Sequence, residues 1–331
     1  MTRNDHEATG PRFARHRNTR SWPLLWSALA ALAIVAVVWV RLQRLTDPAD
    51  TVVVYTSQDQ VYSEPILREF EQQTGIRVRA LYDSEAVKAV GLVNRLLAEQ
   101  AHPQCDVFWN NEELRIRQLS ARGVLADDPP WVAIGQRSRR IVINTNQLDA
   151  ALAPQSLLEL TNSAWRGRVA LAYPLFGTTA THFLALRQHW GEEAWRQWCR
   201  ALQANEPYVV DGNSVVVRLV GQGQAAIGLT DSDDIAAGQR QGYPIVAQPL
   251  NEETLLIPNT VAIVRGAPRP RTGAVLMEYL QAPATVLRLV EANALESMDP
   301  IRTPIGLQPD WDDLLAGLEA NTAFLKEVFL R

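Results

Sequence analysis

Three observations predict that this chain folds as an α/β protein behind a single membrane-spanning helix. From residue 51 onward, short β-rich runs alternate with helical segments. The composition, 47% hydrophobic and 21% charged over 331 residues, suits folded protein with room for two cores. Finally, WPLLWSALAALAIVAVVWV, residues 22–40, carries no charge over a length sufficient to cross a bilayer as a helix.

Five arginines (Arg3, Arg12, Arg15, Arg17, Arg20) precede that apolar run, and only Arg41 and Arg44 closely follow it. The positive-inside rule then keeps residues 1–21 in the cytoplasm as a basic tail and exports the rest. A cleaved signal peptide is the competing reading. The long run and the lack of a small-x-small site before Asp50 favour an uncleaved anchor at 22–40 in the inner membrane. The net charge of −4 divides into +5 for residues 1–44 and −9 for the remainder. An acidic body argues against a nucleic-acid partner. Cys105 and Cys199 fall in segments assigned to different lobes and read as buried free thiols rather than a disulfide.

In chain order, TVVVYTS (51–57) is a strand and 63–75 a helix, with Ser63 as cap, Pro65 in its first turn and Gly75 as its stop. IRVRALY (76–82) alternates as a strand with Ile76, Val78 and Ala80 on one face. Residues 84–100 form a helix with Val90, Val93 and Leu97 at core spacing. CDVFWN (105–110) is a strand and 112–123 a helix ending at Gly123. Strands follow at 140–144, 168–174, 207–213, 224–229 and 255–264, with helices near 178–189, 191–203, 214–222, 233–241, 271–281 and 283–294. This order indicates a parallel sheet covered by helices on both faces. Residues 311–331 form an amphipathic helix whose Leu314, Leu315, Leu318, Phe324, Leu325 and Phe329 dock on the body.

No phosphate-binding G-x-x-x-x-G-K-[ST], no G-x-G-x-x-G after a strand and no G-x-S-x-G is present. The five histidines form no metal-ligand pair, and His182 and His189, seven apart on one helix, read as a surface pair. The chain is therefore read as a non-enzyme. What recurs is a polar turn where a strand ends and a helix begins: TSQD (56–59), NNEE (110–113), GTT (177–179), GNS (212–214) and TDSDD (230–234). In an open α/β sheet ligands sit at such ends, and helix N-termini there offer N–H groups to anions. Each turn could equally be a helix cap.

VVVYTSQDQVYSEPILREFEQQTGIRV, CDVFWNNEELRIRQLSARGVL, VVDGNSVV and LLIPNTVAIVRGAP resemble the extracellular solute-binding proteins of ABC importers, with the nearest likeness to the ferric-iron-binding branch. The resemblance covers about residues 51–300. It implies a two-lobed periplasmic-binding-protein-like fold (type II), each lobe a sheet flanked by helices. Lobe one would be 51–141 plus 259–300, lobe two 142–258, and 301–331 a helical tail packing on the body.

Carried over residue by residue, the resemblance puts Asp59 where iron binders place a histidine, and Asn111 with Glu112 where they place a glutamate. Asp231 and Ser232 stand where they have two tyrosines. Gly177, Thr178 and Thr179 with Asn213 and Ser214 match the turns that hold a synergistic anion. Ser57, Gln58, Trp109 and Asp233 complete the expected ligand-binding set; Asp59, Glu112 and Asp231 are the candidate metal ligands. The carboxylates suit a highly charged metal ion or an organic cation, and Trp109 could stack on a cation. TDSDD reads as a cap that also faces ligand.

The implied role is a membrane-tethered, monomeric substrate-binding subunit that closes on ferric iron, with or without an anion, and delivers it to a separate permease and ATPase. A small organic cation or phosphonate-type anion is the alternative cargo, a ligand sensor the alternative role. An extracytoplasmic metal-dependent hydrolase is a third class, opposed by the missing histidines. No cofactor is implied.

Overall fold

The computed structural model describes residues 50–82, 90–126, 129–298 and 305–330. The expected basic tail (1–21) and apolar anchor (22–40) lie outside these residues, as does the start of the helix expected at 84–100. Among the described residues, no helix is long and apolar enough to cross a membrane.

Among the described residues, nine strands form one continuous sheet: β1 (Thr51–Thr56), β2 (Arg77–Tyr82), β3 (Val107–Asn110), β4 (Val132–Asn144), β5 (Val169–Ala172), β6 (Tyr208–Val210), β7 (Ile227–Asp231), β8 (Ile245–Ala247) and β9 (Leu255–Ile263). Their order is β2-β1-β3-β9-β4-β7-β5-β6, with β8 pairing β4. Parallel pairs occupy the two wings, β1 with β2 and β3 on one side, β5 with β6 and β7 on the other. The centre is antiparallel: β9 runs against β3 and β4, and β4 runs against β7. The expectation of a parallel sheet thus holds for the wings and fails at the centre, where the crossing strands β4 and β9 run against their neighbours. These two crossings make the body two-lobed.

β4 is far longer than the expected RIVIN. Its first half pairs β9 and its second half pairs β7, so one strand belongs to both lobes. Its register slips between Ala133 and Gln136, around Gly135 at φ 72°. A side chain on Gly135 would meet the Ser297 carbonyl at 2.6 Å, so the bulge needs glycine.

Helices cover both faces: α1 (Gln60–Thr74), α2 (Val90–Ala98), α3 (Glu113–Ala121), α4 (Gly177–Trp190), α5 (Glu192–Ala204), α6 (Asn213–Gly221), α7 (Ser232–Arg240), α8 (Pro270–Gln281), α9 (Pro283–Glu291) and α10 (Trp311–Phe329). α1 begins three residues before the expected start; Ser63 lies inside it, buried, its hydroxyl donating to the Asp59 carbonyl at 2.9 Å. Gly75 closes it in the left-handed conformation, as expected. On α2 the buried stripe is Leu92, Val93 and Leu96, rotated from the expected one. On α10, Leu314, Leu318, Phe324, Leu325 and Phe329 are buried and Leu315 partly so, within the second lobe's core beside Phe183 and Trp198.

Each lobe has a core on both sides of its sheet. In the first, Val52, Val54, Val107 and Trp109 face α1 and α8, while Tyr55 and Phe108 face α2 and α3. In the second, Leu171, Ile227 and Leu229 face α4 and α5, while Val142 and Ala170 face α6 and α7. Cys105 and Cys199 are buried free thiols in separate cores, and burial raises both pKa values well above the usual thiol range. His182 and His189 do not form a surface pair. His182 is buried, its Nε2 2.7 Å from the Glu253 carbonyl, whereas His189 is exposed.

Candidate functional site

Strands in both lobes end at one cavity of about 40 Å³. The first lobe contributes Asp59, where β1 turns into α1, and Asn111, where β3 turns into α3. The crossing strand β4 contributes Arg137. The second lobe contributes Ala172, Tyr173 and Phe176 before α4, then Gly177, Thr178 and Thr179 in its first turn. Asp211, Gly212 and Asn213 come from the start of α6, and Asp231, Asp233 and Asp234 from the start of α7. All five expected turns therefore reach this cavity through at least one residue named from the sequence, TSQD through Asp59 alone and NNEE through Asn111 alone.

The remaining expected residues lie elsewhere. The Ser57 hydroxyl sits between the side-chain oxygens of Asn110 and Asn111, 2.8 and 2.9 Å away, and buttresses the turn from behind. Gln58 is buried and accepts from Asn259 Nδ2 on β9 at 2.9 Å. Trp109 is a fully buried core residue and offers no stacking face, because strand alternation turns it toward α1. Ser214 is exposed, outside the cavity lining, and the Ser232 hydroxyl accepts from the Ser138 backbone at 3.2 Å.

Glu112 caps its helix and does not line the cavity. Its carboxylate accepts from Leu114 and Arg115 N–H at 2.7 and 3.0 Å, and Thr181 Oγ1 from the other lobe lies 3.3 Å away. Burial raises its pKa, outweighing the Arg115 charge and these donors. At this turn the acid does what any capping residue before a helix does.

Asp231 behaves in the opposite way. It occupies the cap position of α7 yet makes no side-chain cap bond. Its oxygens accept instead from Arg139 Nη1 at 2.7 Å, Thr178 Oγ1 at 2.8 Å, Asn213 Nδ2 at 3.1 Å and Arg137 Nη2 at 3.2 Å. Burial pushes its pKa upward, but the two guanidinium groups and the Thr178 hydroxyl overcome that and hold it below the usual carboxylate range. Arg137 Nε stands 3.2 Å from Asp233 Oδ1, and both arginines are almost wholly inaccessible.

Arg137 and Arg139 were missed by the sequence reading, which began the strand only at residue 140. The signal was the R-x-R spacing, which puts both side chains on one face of a strand continuous with RIVIN. Tyr173, Asp211 and Asp234 were missed as well, being the flanks of turns already singled out.

The lobes also touch beside Asp233. Tyr62 of α1 accepts from Arg240 Nη2 of α7 at 3.0 Å and lies 3.4 Å from the Asp233 carbonyl. Burial beside Asp233 raises the Tyr62 pKa.

Oxygen atoms of Asp231, Asp233 and Asp234 lie within 4.8 Å of one another, a spacing at which a cation can be shared. Around the same space, α1, α4, α6 and α7 all begin without a side-chain cap bond, so their first-turn N–H groups face the cavity end uncapped by their own N-cap side chains. The arrangement can therefore hold a small cation and an oxyanion together.

A family model for bacterial extracellular solute-binding proteins matches residues 51–290. The major ferric iron-binding protein of Neisseria meningitidis is 24% identical over 208 residues, covering 57% of this chain and 61% of that protein, so the chain spans about 61% of that relative's length. Iron-bound HitA from Pseudomonas aeruginosa shares the fold with a TM-score of 0.72 at 19% identity, over 84% of this chain and 99% of that one. AfuA from Actinobacillus pleuropneumoniae, solved with exogenous fructose-6-phosphate bound, does so with a TM-score of 0.69 at 18% identity, over 84% and 97%. With the two-lobed fold, the crossing strands and the cleft between them in place, the chain belongs to the bacterial extracellular solute-binding proteins, a family that binds solutes rather than converting them.

Proposed function

We propose that the chain is the extracytoplasmic binding subunit of an ABC importer and captures ferric iron, together with an oxyanion, in the cavity between its lobes. The observation that carries this reading is the convergence of Asp59, Asp211, Asp231, Asp233 and Asp234 on one inter-lobe space whose lining, among the described residues, includes one basic residue, Arg137, with Arg139 paired to Asp231 behind it. Hard oxygen donors in that excess favour a highly charged cation. Asp59 reaches the cavity from the first lobe and Asp233 from the second, so a bound ion draws the lobes together and stabilises the closed form. Glu112 caps its own helix, and Asp231 already accepts from two guanidinium groups, Thr178 and Asn213; the cation is therefore assigned to Asp59, Asp233 and Asp234, of which Asp233 also faces Arg137 Nε at 3.2 Å. The ferric iron-binding relatives support this cargo.

Lobe one comprises 51–141 plus 259–300 and lobe two 142–258, with the 301–331 tail on the body. The apolar run at 22–40 serves as the tether, leaving the body in the periplasm or extracellular space, and a separate permease and ATPase receive the cargo. An anion such as a phosphonate or organic phosphate as the cargo itself is the second reading, favoured by the uncapped starts of α4 and α6.

Calorimetric titration of the metal-stripped full chain separates them. Ferric ion, supplied with citrate or phosphate, is expected to bind with measurable heat. No heat with iron, alongside binding of the phosphorylated compound alone, replaces the first reading with the second.

A further inference from the structure

Arg137 sits on the strand common to both lobes, lines the cavity and is 98% inaccessible to solvent, its relative exposure being 2%. Its Nη2 donates to Asp231, and its Nε faces Asp233. Its Nη1 has no hydrogen-bond partner among the described residues. A guanidinium carries five N–H donors, and leaving some of them buried without an acceptor is costly. Other buried arginine atoms lack partners too, in Arg139, Arg187, Arg269 and Arg288, but none of those residues lines the cavity. Among the described residues, Arg137 is the one arginine with unpartnered buried donors that also lines the cavity.

The neighbouring surface points the same way. The first turns of α4 and α6, at Thr178 and Asn213, line the same cavity without a side-chain cap bond. Helix N-termini favour negative charge, and a guanidinium recognises oxyanions through fixed, directional donors. The side chain is also clamped. Burial works against its charge, but Asp233, Asp231, Asp59 and Asp234 outweigh it, and Arg137 is protonated over the whole working pH range.

We infer that Arg137 is a ligand-contacting residue that determines specificity: its Nη1 donates to an oxyanion group of the cargo, and Asp231 acts as the positioning residue that aims it. The inference rests on the reading of the cavity as the ligand site but not on iron as its occupant. The recognised chemistry is a phosphate, phosphonate or carboxylate oxygen, borne by a free anion beside a metal or by an organic cargo. Strand β4 links the lobes, so the contact ties the anion to the part of the fold about which they move.

The probe is inorganic phosphate, titrated into the metal-stripped full chain with and without ferric ion. Arg137→Gln and Arg137→Lys are each expected to weaken phosphate binding tenfold or more in whichever arm the wild type binds it. The Lys variant keeps a charge against Asp231 if the Gln variant fails to fold. Independently, arginine side-chain ¹⁵N–¹H resonances of the wild type are expected to shift when phosphate saturates the site. Binding in the ferric arm alone assigns a metal-bridged anion; binding without metal assigns an anion-bearing cargo; either supports the contact. Variants that keep the wild-type circular dichroism and bind phosphate unchanged overturn it. Phosphate binding that leaves every guanidinium resonance in place overturns it too, as does absence of phosphate binding in both arms. Loss of ferric binding with the phosphate contact intact sinks the iron reading and leaves Arg137 standing.

Discussion

Glu112 and Asp231 are both buried acids at the first position before a helix, each placed there by a strand that has just ended. Glu112 turns back and closes two N–H groups of α3. Asp231 ignores α7 and takes two arginines from a neighbouring strand. The consequence is that the α3 start is sealed, as is that of α10 by Asp310, whereas α7 opens onto the cavity with α1, α4 and α6. A cap position filled by a capping residue type is thus not evidence of a cap; α5, which starts after Gly191 without a cap bond and away from the cavity, shows that an open start belongs to the site only where it also lines the cleft. Away from the cavity, α8 and α9 begin with proline, which leaves one N–H fewer to satisfy.

The contrast breaks most visibly at Asp231. Asp231→Ala strands two buried guanidinium groups, and unfolding by denaturant is expected to show a loss of about 3–5 kcal/mol. A loss near 1 kcal/mol means that the network is not what holds Arg137 and Arg139 in place.

Acid sensitivity comes next. Burial, reinforced by the Arg139 charge, lowers the His182 pKa from its ordinary 6.5 to about 3. The unfolded chain therefore takes up the proton first. Stability from His182 is complete above pH 6.5 and drains away as the pH falls toward 3. Asp231, also depressed, adds loss in the same direction at lower pH, below the unfolded carboxylate pKa. His182→Asn is expected to flatten the stability profile between those limits, measured as midpoint against pH; an unchanged slope contradicts the assignment.

At Glu112 the expected effect is smaller and of one kind only. Glu112→Ala removes a cap and costs about 1–2 kcal/mol of stability, while ferric-ion affinity stays as in the wild type. A tenfold loss of affinity in a folded variant makes Glu112 a ligand after all. Smallest is Tyr62→Phe, which deletes the phenol contact from α1 to Arg240 of α7. About 1 kcal/mol of closed-state stabilisation is at stake, so the ligand off-rate should rise several-fold, as stopped-flow fluorescence can follow. An unaltered off-rate places that contact outside the closing motion.

Most of the fold was legible because its local rules agree with its packing. Gly75 and Gly123 end helices where they stand in the sequence, each with positive φ, and the apolar stripe of α10 meets the core it implied. The first half of β4 was not legible. GQRSRR (135–140) looks like a solvated basic run, and only the three-dimensional pairing with Asp231 and Asp233 lets two arginines enter a strand at full burial. The antiparallel crossings were hidden for a related reason: hydrophobic pattern reports which residues are inside, not the direction in which a strand runs. Of the site, the strand-end turns were readable and their division into capped and open ends was not. Trp109 shows the same limit, since one position along a strand separates core from cavity.

Amide hydrogen exchange, with and without ferric ion plus phosphate, tests the division most directly. Protection is expected to rise at residues 178–179, 213–214 and 232–234 and to stay level at Leu114 and Arg115, whose N–H groups Glu112 already holds. Uniform protection at both sets, or none at the open helix starts while ligand is bound, contradicts the account.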